Sequence, residues 1–174
     1  MVAYRSLTEV ARYQYWESFD LDAAARLIET QSVAEPNIPG TWFQLAIIKA
    51  ATGCMIGDCG LHCPKDEPDQ MEMGITLAPR YQGRLYADEA GECVLQYVFG
   101  NLDKHRVFAS IDVRNRSAIA LCLRMRFRQE AHFVEHRWFK GQWQSEYLFA
   151  MLKREWEDRR IQRGSKKQVA GSQC

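Results

Sequence analysis

Between an apolar stretch ending at Leu77 and a periodic one beginning at Ala87, the chain reads Ala78-Pro-Arg-Tyr-Gln-Gly-Arg-Leu-Tyr-Ala87. The first stretch, Gln70–Leu77, has strand character, and the second has helical periodicity. A strand feeding a tight turn at a helix N-terminus presents backbone N–H groups without intrahelical acceptors, at the positive end of the helix dipole. Such a turn is a ready anion site, suited to a pyrophosphate. Arg80 and Arg84 add two cations at the loop. A plain strand-to-helix connection with solvated arginines has the same composition, so the loop alone does not decide between the two.

Two further groups of residues carry potential chemistry. The segment from Asn115 to Phe127 (NRSAIALCLRMRF) follows another strand candidate, and Ser117 is placed to cap the apolar run behind it. Cys54, Cys59, His62 and Cys63 are metal-binding types close in sequence, but they lack the paired C-x2-C knuckles of structural zinc sites. On a strand, Cys59 and Cys63 face one way and His62 the other. Thiols packed as small apolar side chains are the reading, and no metal is expected.

The elements that must position these residues follow from periodicity and turn chemistry. Residues 4–16 read as a short helix, and Leu21–Thr30 as another with Asp20 or Asp22 as its N-cap. A loop follows over residues 35–40. Strands are expected at Trp42–Lys49, Met55–His62 and Gln70–Leu77, joined by turns at Thr52-Gly53 and Pro64–Asp69, as an antiparallel meander. Ala87–Leu102 is an amphipathic helix and Arg106–Val113 a strand. Ser117–Arg124 is a short buried helix. Phe127–Phe139 and Gln142–Leu152 form a hairpin turning at Lys140-Gly141. The order predicts a mixed α/β (α+β) domain over residues 1–156. Residues 157–174 are expected to be a polar tail, disordered after about one helical turn beyond Lys153.

Bulk properties narrow the classes. The 174 residues suit one domain with one sizeable core. A formal net charge of +1 gives no global pull toward nucleic acid or an anionic membrane, despite arginine-rich patches at 124–128 and 158–163. No apolar run is long enough to span a bilayer, and the N-terminus has no secretory pattern. The cysteines then read as free thiols in a reducing, cytoplasmic setting.

Taken together, the loop, the intervening helix and strand, and the Asn115–Phe127 segment resemble the GNAT acetyltransferase superfamily, with its RimJ/RimL-type branch the most similar. The resemblance runs from about Arg12 to Trp156. The family's loop pattern, Q/R-x-x-G-x-G/A, falls on Gln82-Gly83-Arg84-Leu85-Tyr86-Ala87. Its N-x-x-S/A…L-x-x-x-x-G-F pattern falls on Asn115 through Phe127. The resemblance implies a central mixed, mostly antiparallel sheet flanked by helices, and acetyl-CoA as acyl donor. It implies that the backbones of Ile75, Thr76 and Leu77 pair with pantetheine amides, that the amides of Gln82 to Ala87 hold the pyrophosphate, and that Asn115 bonds the pantetheine arm. Two positions depart from the pattern: Leu85 and Arg126 stand where the family prefers glycine. The family's first strand is also expected to be missing, which leaves Trp42–Lys49 as a sheet edge open to pairing with another chain.

Catalytic roles follow the same resemblance. Along Gln70–Leu77, Met71, Met73, Ile75 and Leu77 share one face, and Glu72, Gly74 and Thr76 the other. Glu72 is the lone acid there, and the resemblance makes it a candidate general base acting through water. A half-exposed surface carboxylate is the alternative. Cys122 stands where family members carry a Tyr or Ser that protonates the departing thiolate; simple packing in a buried helix is the alternative. His132 and His136 share one strand face, where they serve the acceptor site, shift Glu72 or, by default, are simply exposed; Tyr13, Tyr15 and Trp16 resemble the family's acceptor-side wall, with packing as the alternative. The expected function is acetyl transfer to a primary amine, a protein N-terminus or a small amine or antibiotic, with a homodimer possible. The alternative is a non-catalytic CoA-binding or interaction module.

Overall fold

The computed structural model describes the backbone of residues 1–171 and the side chains of residues 1–162. Its elements are α1 (Val2–Arg5), α2 (Thr8–Ala11), α3 (Leu21–Ser32), β1 (Thr41–Lys49), β2 (Cys54–Cys63), β3 (Gln70–Leu77), α4 (Tyr86–Gly100), β4 (Arg106–Asp112), α5 (Arg116–Arg124), β5 (Arg128–Phe139), β6 (Gln142–Leu152) and α6 (Lys153–Gly171). The strands form one six-stranded sheet in the order β1-β2-β3-β4-β6-β5. Every neighbouring pair is antiparallel except β3–β4, which is parallel. This is the mixed α/β class expected from the element order and the mostly antiparallel sheet that the family resemblance implies.

The two faces of the sheet differ in kind. Met71 and Met73 of β3, Cys59 and Leu61 of β2, and Val107 and Ile111 of β4 are buried in one apolar cluster. Val94, Leu95, Val98 and Phe99 of α4 and Cys122 of α5 pack into the same cluster. The opposite face carries His62, Glu72, Thr76, Asp112 and Glu146, beneath the N-terminal segment. Alternation along each strand thus separates a dry core from a polar face. Cys59 and Cys63 fall on the core side and His62 on the other, and no metal-binding group of His, Cys, Asp or Glu exists among the described residues.

Several boundaries differ from expectation for local reasons. The helix expected over residues 4–16 is two short pieces, broken at Leu7 in extended backbone (ψ 129°). The break leaves Tyr4 and Arg5 both bonded to the buried carboxylate of Asp58, which Gln44 Nε2 also reaches at 2.5 Å. Asp20 is the cap of α3, accepting from the Ala23 N–H at 2.8 Å. Asn115, rather than Ser117, caps α5. Helix α6 continues well past one turn, because Trp156 is buried and Arg159 Nη1 donates to the Met125 carbonyl at 2.6 Å. Residues 172–174 of the expected tail lie outside the described residues.

β1 is an edge strand, as expected, but its edge is partly occupied. The Gln31 side chain of α3 donates to the Trp42 carbonyl (3.2 Å) and accepts from the Gln44 N–H (2.7 Å). One carboxamide there makes the bonds that a neighbouring strand's peptide group would make.

Candidate active site

The parallel pair β3–β4 is short. It holds register only at Gln70↔Arg106, Met71↔Val107 and Glu72↔Phe108. Beyond Glu72 the two strands separate, while β3 stays paired with β2 as far as Leu77↔Gly57. The β4-facing edge of β3 from Met73 to Leu77 therefore has no strand partner. Ile75, Thr76 and Leu77, the residues expected to pair with an amide-bearing ligand, lie on this stretch.

The edge leads directly to the loop. Gln82 Nε2 donates to the Leu77 carbonyl at 3.0 Å, which folds the loop back onto the strand end. Among the described residues, the backbone N–H groups of Gly83, Arg84, Leu85, Tyr86 and Ala87 meet no acceptor in hydrogen-bonding geometry; the first bond of α4 runs from Glu89 N–H to the Leu85 carbonyl at 3.0 Å. Leu85, the N-cap position, makes no side-chain cap. These open donors at the start of a 15-residue helix form an anion cradle. Gly83 (φ +68°) and Leu85 (φ +63°) both adopt left-handed backbone, so the turn keeps its form where glycine is absent. The Leu85 side chain is 65% exposed.

Acidic residues follow at once, Asp88 and Glu89 in the first turn of α4. Asp88 is clamped by Arg124 from the end of α5, Nε to Oδ1 at 2.7 Å and Nη2 to Oδ2 at 2.9 Å. The Arg124 bonds hold the Asp88 carboxyl below its usual range. Asn115 Oδ1 accepts from the Ala118 N–H at 3.2 Å, which leaves its Nδ2 as a donor.

Glu72 sits where the strands part. Its cross-strand partner is His62, whose Nδ1 lies 3.5 Å from Glu72 Oε2. The His62 ring in turn stacks on Trp42 of β1, centroids 4.9 Å apart and planes 17° off parallel. Burial pushes the Glu72 pKa above its ordinary value; His62 and Arg137 oppose the rise and Glu146 adds to it. Next along this face, a Cβ on Gly74 would meet nothing within 4 Å. Open space thus adjoins Glu72 on the polar face. Gln14 Nε2 reaches Thr76 Oγ1 at 3.3 Å on the far side.

The hairpin supplies the opposite wall. Arg137 Nη2 donates to Glu146 Oε1 at 2.8 Å and to Gln144 Oε1 at 3.2 Å, and its guanidinium lies over the rings of Tyr15 (5.3 Å) and Phe139 (4.9 Å). His136 Nε2 meets Glu146 Oε2 at 2.9 Å, whereas His132 packs on the Tyr147 ring at 4.7 Å. A register shift between Phe133 and Arg137 separates the two histidines' surroundings. At the hairpin turn, Lys140 Nζ donates to the carbonyls of Ala11 (2.7 Å) and Trp16 (2.6 Å), tying the N-terminal segment down.

Cys122 stands apart from this polar face. It is buried in the apolar cluster, and burial pushes its thiol up to about 12. Giving a proton from there to a thiolate with a reference pKa of about 8.5 runs uphill by roughly 5 kcal/mol.

His62, Glu146 and Arg137 were not singled out as site residues from the sequence. The first was findable, because a meander turning over Pro64–Asp69 sets His62 opposite Glu72. The other two had no local signal: β6 and β5 reach this face only through the β4–β6 crossover.

The sheet is thus split between two parallel strands, and an open strand edge runs into a cluster of open N–H donors beside a polar face. The family model for the acetyltransferase (GNAT) domain matches residues 1–128, and the chain belongs to this family. It is an acyl-CoA-dependent N-acetyltransferase, with acetyl-CoA as co-substrate. An uncharacterised N-acetyltransferase, p20 of Bacillus licheniformis, is 29% identical over 154 residues, 88% of this chain and 85% of the relative. Spermidine N(1)-acetyltransferase of Vibrio cholerae is 32% identical over 73 residues, 42% of each chain. Among solved structures, a GNAT-family acetyltransferase from Bacillus anthracis has the same fold (TM-score 0.80, 22% identity, 89% and 88% of the two chains). So does the spermidine N-acetyltransferase of Vibrio cholerae in complex with CoA and spermine (TM-score 0.73, 21% identity, 87% and 86%).

Proposed function

We propose that this chain transfers an acetyl group directly to a primary amine, a protein N-terminus or a small amine, in a ternary complex of the RimJ/RimL type. Glu72 carries the reading: it is a half-buried carboxylate at the point where β3 and β4 part, beside the open space over Gly74. Ile75, Thr76 and Leu77 offer backbone groups to the pantetheine arm and Asn115 Nδ2 bonds it, while the loop Gln82–Ala87 receives the pyrophosphate. The thioester supplies the electrophilic carbonyl. Glu72, through a water, takes the proton that an ammonium must lose before its nitrogen can attack. Cys122 is the candidate donor to the departing thiolate, and its raised pKa limits what it contributes. A relative named for spermidine acetylation supports a small polyamine among the acceptors to be tried.

The setting belongs to the same reading. Exposed free thiols at Cys54 and Cys93 support a reducing, cytoplasmic compartment. Exposed Trp138 and Trp143 on the hairpin support a homodimer, which light scattering checks. No helix among the described residues is long and apolar enough to cross a membrane.

The test has two parts. Calorimetry with acetyl-CoA and desulfo-CoA measures binding, and thiol release is then followed over a panel of N-terminal peptides, polyamines and aminoglycosides. Glu72 acts as the carboxylate and its pKa is raised, so kcat/KM climbs with pH over a limb displaced above the usual carboxylate value of about 4.3. Glu72→Gln is expected to cut kcat by about 100-fold or more and abolish that limb, with CoA affinity unchanged. An unchanged rate and profile removes Glu72 from the mechanism, and binding without turnover on the whole panel favours a non-catalytic CoA module.

A further inference from the structure

Acetylating an ammonium with a thioester releases one net proton. The ammonium loses one proton to become a nucleophile and a second when the tetrahedral adduct collapses to the amide. The departing thiolate takes up one of the two, and the other must reach solvent. On the reading given above, Glu72 receives that proton, so Glu72 must be discharged in every turnover. Its side chain is 18% exposed and sits on the inner strand β3, with β2 on one side and the β4 rung on the other. With donor and amine filling the open space over Gly74 on the same reading, discharge needs a neighbour on the other side that both touches Glu72 and reaches bulk water.

We infer that His62 is this outlet: the proton passes from Glu72 to the His62 imidazole and leaves along the Trp42 side of the sheet. The inference rests on the assignment of Glu72 as base. Three features point to it. His62 Nδ1 is 3.5 Å from Glu72 Oε2, and the His62 side chain is 26% exposed, the more open of the pair. The ring is held in place on both sides, by Glu72 across the rung and by the parallel face of Trp42. Gly60 makes that stack feasible, since a Cβ there would press on the Trp42 ring at 3.1 Å. An imidazole is also the side chain suited to exchange protons with water between about pH 5 and 8.

The other charged groups around Glu72 are less suited. Glu146 of β6 is already bonded to both Arg137 and His136 of β5. Arg137 does not give up its proton. Asp58, further along β2, is enclosed by Arg5, Tyr4 and Gln44. Tyr15, from the segment after α2, faces Trp42 and Phe139.

The transfer balances without a co-reactant: the Glu72 carboxyl O–H breaks as an imidazole N–H forms, and the imidazolium then yields its second N–H proton to water. The carboxylate is restored, and the imidazole, left neutral as its Nδ1–H tautomer, returns to the Nε2–H form by exchanging protons with water before the next turnover.

The experiment compares wild type with His62→Gln, His62→Ala and Glu72→Gln by rapid mixing under multiple-turnover conditions in dilute buffer. Thiol appearance and, with an indicator dye, proton release are followed together, and calorimetry with acetyl-CoA verifies that each variant is folded. Both His62 variants are expected to slow by about 10-fold or more, and added imidazole to recover much of the His62→Ala rate. Glu72→Gln should not recover. Wild-type rates for His62→Ala in dilute buffer, or a loss that no imidazole concentration moves, overturn the outlet. If Glu72→Gln retains full activity, the base assignment itself is what fails; if Glu72→Gln is slow while His62→Ala is not, only the outlet fails.

Discussion

Leu85 and Arg126 each hold φ at +63°, where a Cβ is crowded by a neighbouring carbonyl oxygen at a cost of about 1–2 kcal/mol. Their left-handed backbone is held by the bonds around it: the Leu85 carbonyl accepts the first bond of α4, and the Arg126 and Phe127 N–H groups bond back to Leu123 and Cys122. Leu85→Gly removes the crowding and loses little buried surface, since the side chain points outward. Differential scanning fluorimetry should then show a rise in Tm of roughly 2–4 °C, with acetyl-CoA affinity equal or tighter. A fall in Tm would mean that Leu85 makes a packing contribution its exposure does not reveal. At this scale the sequence was informative where a residue broke a pattern or sat alone on a face, as Leu85, Arg126 and Glu72 do. It was silent on Arg137 and Glu146, whose partners come from different strands. It also gave Ser117 the cap that Asn115 makes, because both types cap well and only the backbone decides which stands one residue before the helix.

The junction of α4 and α5 illustrates what two elements do that neither does alone. Asp88 stands in the first turn of α4, favourable for the helix dipole but unfavourable for a pyrophosphate at the same end. Arg124, from the last turn of α5, neutralises it bidentately. Arg124→Ala should therefore weaken acetyl-CoA binding by about 3- to 10-fold, which corresponds to roughly 0.7–1.4 kcal/mol. Adding Asp88→Asn should restore most of it in a titration of the double variant. Failure to restore would assign Arg124 a direct contact with the ligand. The elements themselves were legible to within a residue or two wherever periodicity was strong, as in α3, α4 and β3. The N-terminal region was not, because the break at Leu7 is imposed by Tyr4 and Arg5 reaching a carboxylate some fifty positions away, at Asp58. Nor does sequence reveal that Gln31 occupies part of the β1 edge, since one carboxamide carries no pattern.

Over the whole molecule, the defining event is the parting of β3 and β4 after a few rungs. On the proposed reading a bound acyl carrier bridges the gap between the two halves of the sheet, so ligand and fold stabilise each other. At a hundred times Kd, acetyl-CoA should add about 2.7 kcal/mol, or roughly 5–11 °C in Tm. A thermal scan with no shift at that concentration would contradict a preformed cofactor edge. The mixed topology was legible from element order; the length of the β3–β4 pairing was not, because nothing local fixes where two parallel strands stop touching. The Lys140 ammonium holds the hairpin turn to the carbonyls of Ala11 and Trp16, and the Tyr15 ring packs against Arg137 and Phe139, so the proposed acceptor wall joins the two ends of the domain. The proposed donor side depends on main-chain groups, which most substitutions leave intact. The proposed acceptor side depends on side chains in separate stretches of chain, joined by the Lys140 tether and the packing around Tyr15. New acceptor ranges could thus arise in descendants of such a chain by drift around that tether, with the donor unchanged throughout.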